Sequence, residues 1–144
     1  MKRVLIHATT IQLAGHGVLI FGDSGAGKSD LALRLIAEGA FLVADDQTEL
    51  TVGGGRLVAT APSTIAGQIE VRGLGIVAAP HTESANLRLA VHLAALIERM
   101  PDTSFWKAPD LAGAPRLPLV ALAPFEPSAV VKLRMALSAA VTLA

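Results

Sequence analysis

Cysteine is absent from the 144 residues of the sequence, so the chain can form neither a disulfide nor a thiolate metal site. Neither sign of charge is in excess, because 12 lysines and arginines balance 12 aspartates and glutamates. Without a basic excess the sequence predicts no nucleic-acid-binding surface, and without a block of like charges it predicts no charged tail.

Long hydrophobic runs are also missing, so no transmembrane helix and no membrane partner are predicted. The N-terminus, with Lys2, Arg3 and a short apolar run, imitates a weak signal peptide. However, polar residues interrupt the run and a glycine-rich loop follows closely, which favours a strand. The composition, 52% hydrophobic and 17% charged, is typical of a compact globular chain, and the length suits one domain over residues 1–144.

A glycine-rich segment within residues 17–30 is the most informative stretch of the chain. It carries the spacing G-x-x-x-x-G-K-[ST] of a phosphate-binding P-loop, between an apolar run and an amphipathic segment. The residues predicted to bind the nucleotide are Gly22, Asp23, Ser24, Gly25, Ala26, Gly27, Lys28 and Ser29. Backbone N–H groups and the positive end of the following helix would contact phosphate oxygens.

Within this loop, Lys28 is expected to reach the β- and γ-phosphates and Ser29 to place its hydroxyl on Mg²⁺. Asp23 would bring a negative charge beside phosphates, so its side chain is expected to point towards solvent or a partner. A protein that uses a nucleoside triphosphate is expected in the cytoplasm.

Apolar patterns around the loop predict an α/β fold. Residues 18–21 and 41–44 are continuous apolar runs, which are typical of strands buried on both faces. Residues 29–38 have a helical apolar face, and Gly39 is placed to end that helix. The other elements predicted in this half are edge strands at residues 4–6 and 11–13, a turn at 15–17, and a hairpin joining 50–52 to 57–59.

The second half of the chain is less regular. Residues 68–79 have a strand-like pattern that glycines interrupt, and the alternation over residues 87–93 favours a strand, although alanines leave a helix possible. Prolines and a glycine predict an irregular loop over residues 102–118. A short strand at 119–122 and a closing helix capped by Ser128 complete the predicted elements.

Two adjacent carboxylates, Asp45 and Asp46, follow the apolar run at residues 41–44. Such groups are costly at the end of a buried strand unless they bind or react with something. Because the carboxyl ends of parallel strands meet at the ligand crevice, the pair would face the γ-phosphate. One could assist a metal and the other could accept a proton from an attacking hydroxyl, with a simple turn or cap as the alternative.

Glu70, Arg72, His7 and Arg99 carry weaker signals. Glu70 and Arg72 would lie on one face of a strand, where they suit a metal contact and a phosphate contact, or a plain surface ion pair. Taken alone, His7 is more typical of a structural histidine and Arg99 of a solvated arginine.

Three segments in this order, GDSGAGKSD, LVADDQTEL and IEVRGLGIV, resemble the C-terminal catalytic domain of the HPr kinase/phosphorylase family over about residues 7–99. The resemblance implies an α/β P-loop kinase domain with a mixed sheet and flanking helices, related to phosphoenolpyruvate carboxykinase and assembled as a hexamer. It implies an ATP- and Mg²⁺-dependent kinase that phosphorylates a serine of HPr, the phosphocarrier protein of the sugar phosphotransferase system. It also implies a reverse, phosphorylase reaction.

The resemblance assigns roles to individual residues by position. They are the catalytic histidine His7, the P-loop lysine Lys28, the general base Asp46, the magnesium ligands Ser29 and Glu70, and a catalytic arginine at Arg99. Arg72 lies within residues 69–78, the stretch that the family associates with catalysis.

Two departures from the family pattern bear on function. The chain is expected to lack the N-terminal domain of full-length members, as compact versions do. The arginine-bearing segment that the family uses for dephosphorylation corresponds to residues 124–129, which contain Glu126 and no arginine. Kinase activity is therefore expected to persist and phosphorylase activity to be weak or lost. A nucleotide-binding regulatory module without turnover and a small-molecule kinase remain as alternatives.

Overall fold

The side chains of one central strand point alternately to two hydrophobic cores, one on each face of the sheet. In the computed structural model, which describes residues 1–142, Val18 and Ile20 of this strand pack into a core shared with the two helices. Leu19, between them, packs into a second core on the opposite face. Because successive side chains of a strand point to opposite faces, a continuous apolar run is buried on both sides.

Eleven strands and two helices are formed within residues 1–142. The strands are β1 (Val4–Ile6), β2 (Thr9–Leu13), β3 (His16–Phe21), β4 (Phe41–Ala44), β5 (Thr48–Gly53), β6 (Arg56–Thr60), β7 (Gln68–Val71), β8 (Gly75–Ala78), β9 (Ser84–Leu93), β10 (Ser104–Trp106) and β11 (Leu117–Leu122). The helices are α1 (Lys28–Ala37) and α2 (Ala129–Thr142).

Nine of the strands form one mixed sheet, with the order β1-β5-β6-β9-β3-β2-β4 and with β10 and β11 joined to it through β9. Strands β3 and β4 both pair antiparallel with β2, so they run in the same direction. Their carboxyl ends therefore meet at one edge of the sheet. Strands β7 and β8 form a separate hairpin. This mixed sheet with flanking helices confirms the predicted α/β fold class.

The two helices cover the core face to which Val18 and Ile20 belong. Leu31 and Leu35 of α1, and Leu133 and Leu137 of α2, are buried there together. The second core lies on the other face and is closed by the loop before β11, which contributes buried Ala108, Leu111 and Ala114. Neither helix within residues 1–142 combines the length and apolarity that a membrane crossing needs.

Most predicted elements are present, and four details differ. Strand β2 is not an edge strand, because it pairs with both β3 and β4. The turn predicted at residues 15–17 lies at Ala14 and Gly15, since His16 and Gly17 already pair with β2. The segment 102–118 is not wholly irregular, because β10 pairs with β11 there.

The fourth difference concerns the alternation predicted over residues 87–93. A strand does form, but Gly17 pairs with Leu87 and Val18 with Leu89, which leaves one extra residue in β9. This β-bulge reverses the alternation, so Leu87 packs into the second core whereas Leu89 and Val91 face the helices.

Candidate active site

The P-loop joins the end of β3 to the start of α1, as the sequence predicts. Gly25 and Gly27 have φ angles of 81° and 104°, a left-handed conformation that favours glycine. Lys28 is only 6% exposed, and its Nζ donates to the carbonyl oxygens of Gly22 (3.1 Å) and Asp23 (3.3 Å). The lysine side chain therefore folds back onto the start of the loop, with its ammonium group beside these two carbonyl oxygens.

Asp45 orients the P-loop serine. Its carboxylate is buried and accepts hydrogen bonds from Ser29 Oγ (2.6 Å), Thr9 Oγ1 (3.2 Å) and the backbone N–H of Glu70 (2.9 Å). With the hydroxyl proton of Ser29 directed at Asp45, the lone pairs of that oxygen remain available to a cation. These contacts explain why a buried carboxylate is tolerated at this position.

Asp46 has different surroundings from its neighbour. Its side chain is 60% exposed, and Oδ1 lies 2.6 Å from Nε2 of His7. Its backbone adopts a φ of 67°, which is costly for a residue other than glycine, and the N–H donates to Thr9 Oγ1 at 3.0 Å. Thr9 thus forms a hydrogen bond with each of the two aspartates. The strained backbone at Asp46 directs its side chain towards solvent.

A cavity of about 690 Å³ lies between the N-terminal end of α1 and the β7–β8 hairpin. The predicted site residues that line it are Ser24, Gly25, Gly27, Lys28, Ser29, Asp46, Glu70 and Arg72. Within residues 1–142 Glu70 and Arg72 form no ion pair with each other, so the surface ion-pair interpretation is wrong. Both side chains are exposed at the cavity instead.

Six of the predicted site residues are not in this lining, namely Gly22, Ala26 and Asp45, which lie in the P-loop or behind it, and His7, Asp23 and Arg99. His7 reaches the site through Asp46, and Asp23 is exposed, as expected for a side chain that avoids the phosphates. Arg99 is exposed in the segment that follows β9 and is not among the described residues that line the cavity. Its role stays a prediction from the resemblance.

Phe125 forms a wall of the cavity that the sequence did not predict. Its ring is 69% exposed, and it lies 2.9 Å from where a Cβ on Gly27 would stand. Arg34 of α1 holds this segment by donating to the carbonyl of Pro124, while Asp30 accepts from the same guanidinium at 3.0 Å. No local pattern marks Phe125, because the loop and α1 are far apart in the chain.

Thr9 is the other residue that sequence reasoning missed. It stands in an ordinary apolar strand pattern, and only the pairing of β2 with β4 brings it to Asp45 and Asp46. No signal in the sequence identifies Thr9, because this pairing is a long-range contact.

The site fits a metal that arrives with nucleotide phosphates. Within residues 1–142 no group of three or more histidine, aspartate or glutamate side chains is arranged to hold a metal by itself. Mg²⁺ usually keeps several waters and takes one or two protein ligands together with substrate phosphates. Ser29, oriented by Asp45, matches that requirement.

The chain is similar in sequence and in fold to known proteins. A family model described as HPr serine kinase C-terminal domain matches residues 1–98. The HPr kinase/phosphorylase of Clostridium tetani is 44% identical over 75 residues, which cover 52% of this chain and 25% of the relative. The HPr kinase/phosphorylase of Clostridium novyi is 38% identical over 104 residues, covering 69% of this chain and 34% of the relative.

The chain thus spans between about a quarter and a third of the length of these curated relatives. A solved structure of the Hpr(Ser) kinase/phosphatase from Coxiella burnetii has the same fold, with a TM-score of 0.78, 25% identity and 97% of each chain covered.

Proposed function

Because the chain belongs to the family of HPr serine kinase C-terminal domains, we propose that residues 1–144 form a single P-loop catalytic domain that phosphorylates a serine of HPr with ATP. The observation that carries this proposal is the division of roles between adjacent carboxylates. Asp45 is buried and accepts from Ser29 and Thr9, whereas Asp46 is exposed at the cavity beside His7.

The P-loop provides the phosphate site in this proposal. Its backbone N–H groups, the N-terminal end of α1 and the Lys28 ammonium would surround the β- and γ-phosphates. Ser29 would hold Mg²⁺, with Glu70 as a second ligand; when bound, the ion offsets negative charge on the transferred group. The hydrogen bond from the Glu70 N–H to Asp45 supports this, since it fixes the strand that carries the Glu70 side chain.

Asp46 would accept the proton of the seryl hydroxyl as that oxygen attacks the γ-phosphorus. Asp46 lines the cavity, and the contact of its Oδ1 with His7 Nε2 orients the carboxylate. Arg72, also at the cavity, would contact phosphate oxygens. For Arg99 we retain the catalytic role that the resemblance implies, as a proposal without a supporting contact.

Phe125 would place the nucleotide base. The ring is apolar, exposed and held against the P-loop by the bond from Arg34 to the Pro124 carbonyl. Flat aromatic faces stack readily on nucleobases.

The reverse, phosphorylase reaction is expected to be weak or absent. The described residues that line the cavity include Lys28 and Arg72 as cations, and the segment at 124–126 presents Phe125 there instead of a cation. Glu126 pairs with Lys132 at 2.6 Å. Measuring phosphate-dependent dephosphorylation of phosphoserine-HPr tests this: a rate that matches the forward reaction would contradict it.

Our proposal for the oligomeric state rests on the family resemblance, and our proposal for the cellular location rests on the proposed substrates. We propose a homo-oligomer, a hexamer by family resemblance, in the cytoplasm where ATP and HPr would be available.

The decisive experiment is transfer of label from γ-labelled ATP to purified HPr, with HPr whose target serine is alanine as the control. The proposal is supported if label appears only on HPr and if it is lost both with the alanine form of HPr and with the Lys28→Met variant. ATP binding without transfer to HPr would favour a regulatory module, and label on a small molecule would favour a small-molecule kinase.

A further inference from the structure

A second cavity, of about 920 Å³, lies at the opposite end of the central strand from the P-loop. His16, the first residue of β3, lines it, whereas the last residue of that strand, Phe21, adjoins the loop. A strand of this length spans roughly 17–20 Å, so the two cavities do not share a wall at β3.

Small residues of α2 form one wall of the cavity. Ala136, Ala139 and Ala140 line it, and larger side chains at these positions would fill the space. Leu87 and Leu89, from the bulged part of β9, complete the apolar floor. An apolar floor of this size can accommodate the hydrocarbon part of a small molecule.

The rim of the cavity is cationic. Three arginines, Arg56, Arg88 and Arg116, line it, and no aspartate or glutamate does among the described lining residues. This is a concentration of one sign of charge in a chain whose net charge is zero. Arg56 and Arg116 are exposed and Arg88 is half-buried, so their guanidinium groups can donate hydrogen bonds to an anionic ligand.

Three arginines outside the cavity, among the residues that the structure describes, have a carboxylate partner. Arg3, Arg34 and Arg134 each have a carboxylate within 4.0 Å, at 3.7, 3.0 and 3.6 Å respectively. No such partner is present for the cavity arginines within residues 1–142. The Arg116 guanidinium instead lies 3.8 Å above the centre of the Phe105 ring. That contact fixes the position of the Arg116 guanidinium and leaves the N–H groups of Arg116 available to an anion.

We propose that this cavity binds a small organic anion, with its carboxylate or phosphate group at Arg88 and Arg116 and its apolar body against the alanine face of α2. Arginine suits such a head group because its fork of donors matches two oxygens at once. The inference is independent of the phosphoryl-transfer chemistry at the P-loop.

The test uses two fluorescent dyes of similar shape, anionic 8-anilinonaphthalene-1-sulfonate and neutral N-phenyl-1-naphthylamine. Replacing both arginines, Arg88→Gln with Arg116→Gln, should weaken binding of the anionic dye about tenfold and leave the neutral dye unchanged. Arg3→Gln is the matched control for loss of a surface arginine, and Lys28→Met excludes binding at the P-loop. Neither control should change the affinity for the anionic dye.

A second variant and two competitors test the apolar part. Ala136→Leu should weaken both dyes, and decanoate should displace the anionic dye at concentrations where inorganic phosphate does not. Equal displacement by phosphate would overturn the amphipathic assignment, and an unchanged affinity in the arginine variant would overturn the site. A change of oligomeric state in the arginine variant, seen by light scattering, would assign the cavity to a second copy of the chain and overturn the small-molecule proposal.

Discussion

Ser29 Oγ donates a 2.6 Å hydrogen bond to Oδ1 of Asp45, across 16 residues of sequence. The bond joins the start of α1 to the end of β4, two elements that leave the sheet at the same edge. The bond orients the P-loop hydroxyl, and in the proposed mechanism Asp45 would therefore support a metal ligand and would not act as the base.

Asp45→Asn should therefore impair metal use more than nucleotide binding. The amide cannot accept from Ser29, Thr9 and the Glu70 N–H as the carboxylate does, and loss of such support commonly lowers metal affinity about 10- to 100-fold. The measurement is the Mg²⁺ concentration that gives half-maximal phosphoryl transfer. Glu38→Gln, which alters a carboxylate at the C-terminal end of α1 that pairs with Arg134 and does not line the cavity, is the control. Equal Mg²⁺ dependence in the two variants would refute the role given to Asp45.

Asp46→Asn should abolish most phosphoryl transfer while ATP binding persists. An amide cannot accept the seryl proton, and a positioned general base usually contributes about 10²- to 10⁴-fold. Single-turnover transfer to HPr and equilibrium binding of ATP separate the two effects. Retained transfer would remove Asp46 from the mechanism. Parallel loss of ATP binding would point instead to a structural effect on the P-loop.

Thr9→Val should reduce both stability and turnover, because Thr9 donates to Asp45 and accepts from the Asp46 N–H. Leaving such buried groups without partners costs about 1–3 kcal/mol. Thr10→Val is a matched control, since Thr10 is equally buried but bonds to Thr48, away from the cavity. Both variants should lower the melting temperature, and only Thr9→Val should lower kcat. A similar kcat in the two variants would show that Thr9 has no positioning role.

Phe125→Ala should weaken ATP but not inorganic triphosphate as a ligand. Stacking on an aromatic ring is worth about 1–3 kcal/mol per base, or roughly tenfold in affinity, and triphosphate has no base to stack. Calorimetric titration of both ligands gives the comparison. Phe105→Ala, another partly exposed phenylalanine outside this cavity, should change neither affinity. A loss of affinity for both ligands would mean that Phe125 only supports Gly27.

Local patterns were sufficient for the elements that carry the P-loop. The apolar runs of β3 and β4, the amphipathic pattern of α1 and the glycine-rich spacing each depend on neighbours within a few residues. The order of the sheet was not accessible in this way. The sequence predicts β2 at an edge of the sheet, but the strand lies between β3 and β4. The prediction is wrong because strand pairing depends on long-range contacts, which the local sequence pattern does not contain.

The same contrast applies to the candidate site. The motif spacing predicts Lys28 and Ser29 as site residues, and the two adjacent carboxylates after β4 predict Asp45 and Asp46. The different surroundings of these two aspartates come from the tertiary structure, since Thr9 and His7 reach them from a neighbouring strand and loop.

The sequence alone thus predicts a phosphate-binding loop with acidic residues near it, because backbone geometry and residue chemistry at short range are enough to form such a loop. Tertiary packing decides which carboxylate is buried against Ser29, which one faces the cavity, and that Phe125 forms its wall. Hydrogen bonds and burial depend on distance in space, and the fold brings together side chains that are 36 to 39 residues apart in the chain.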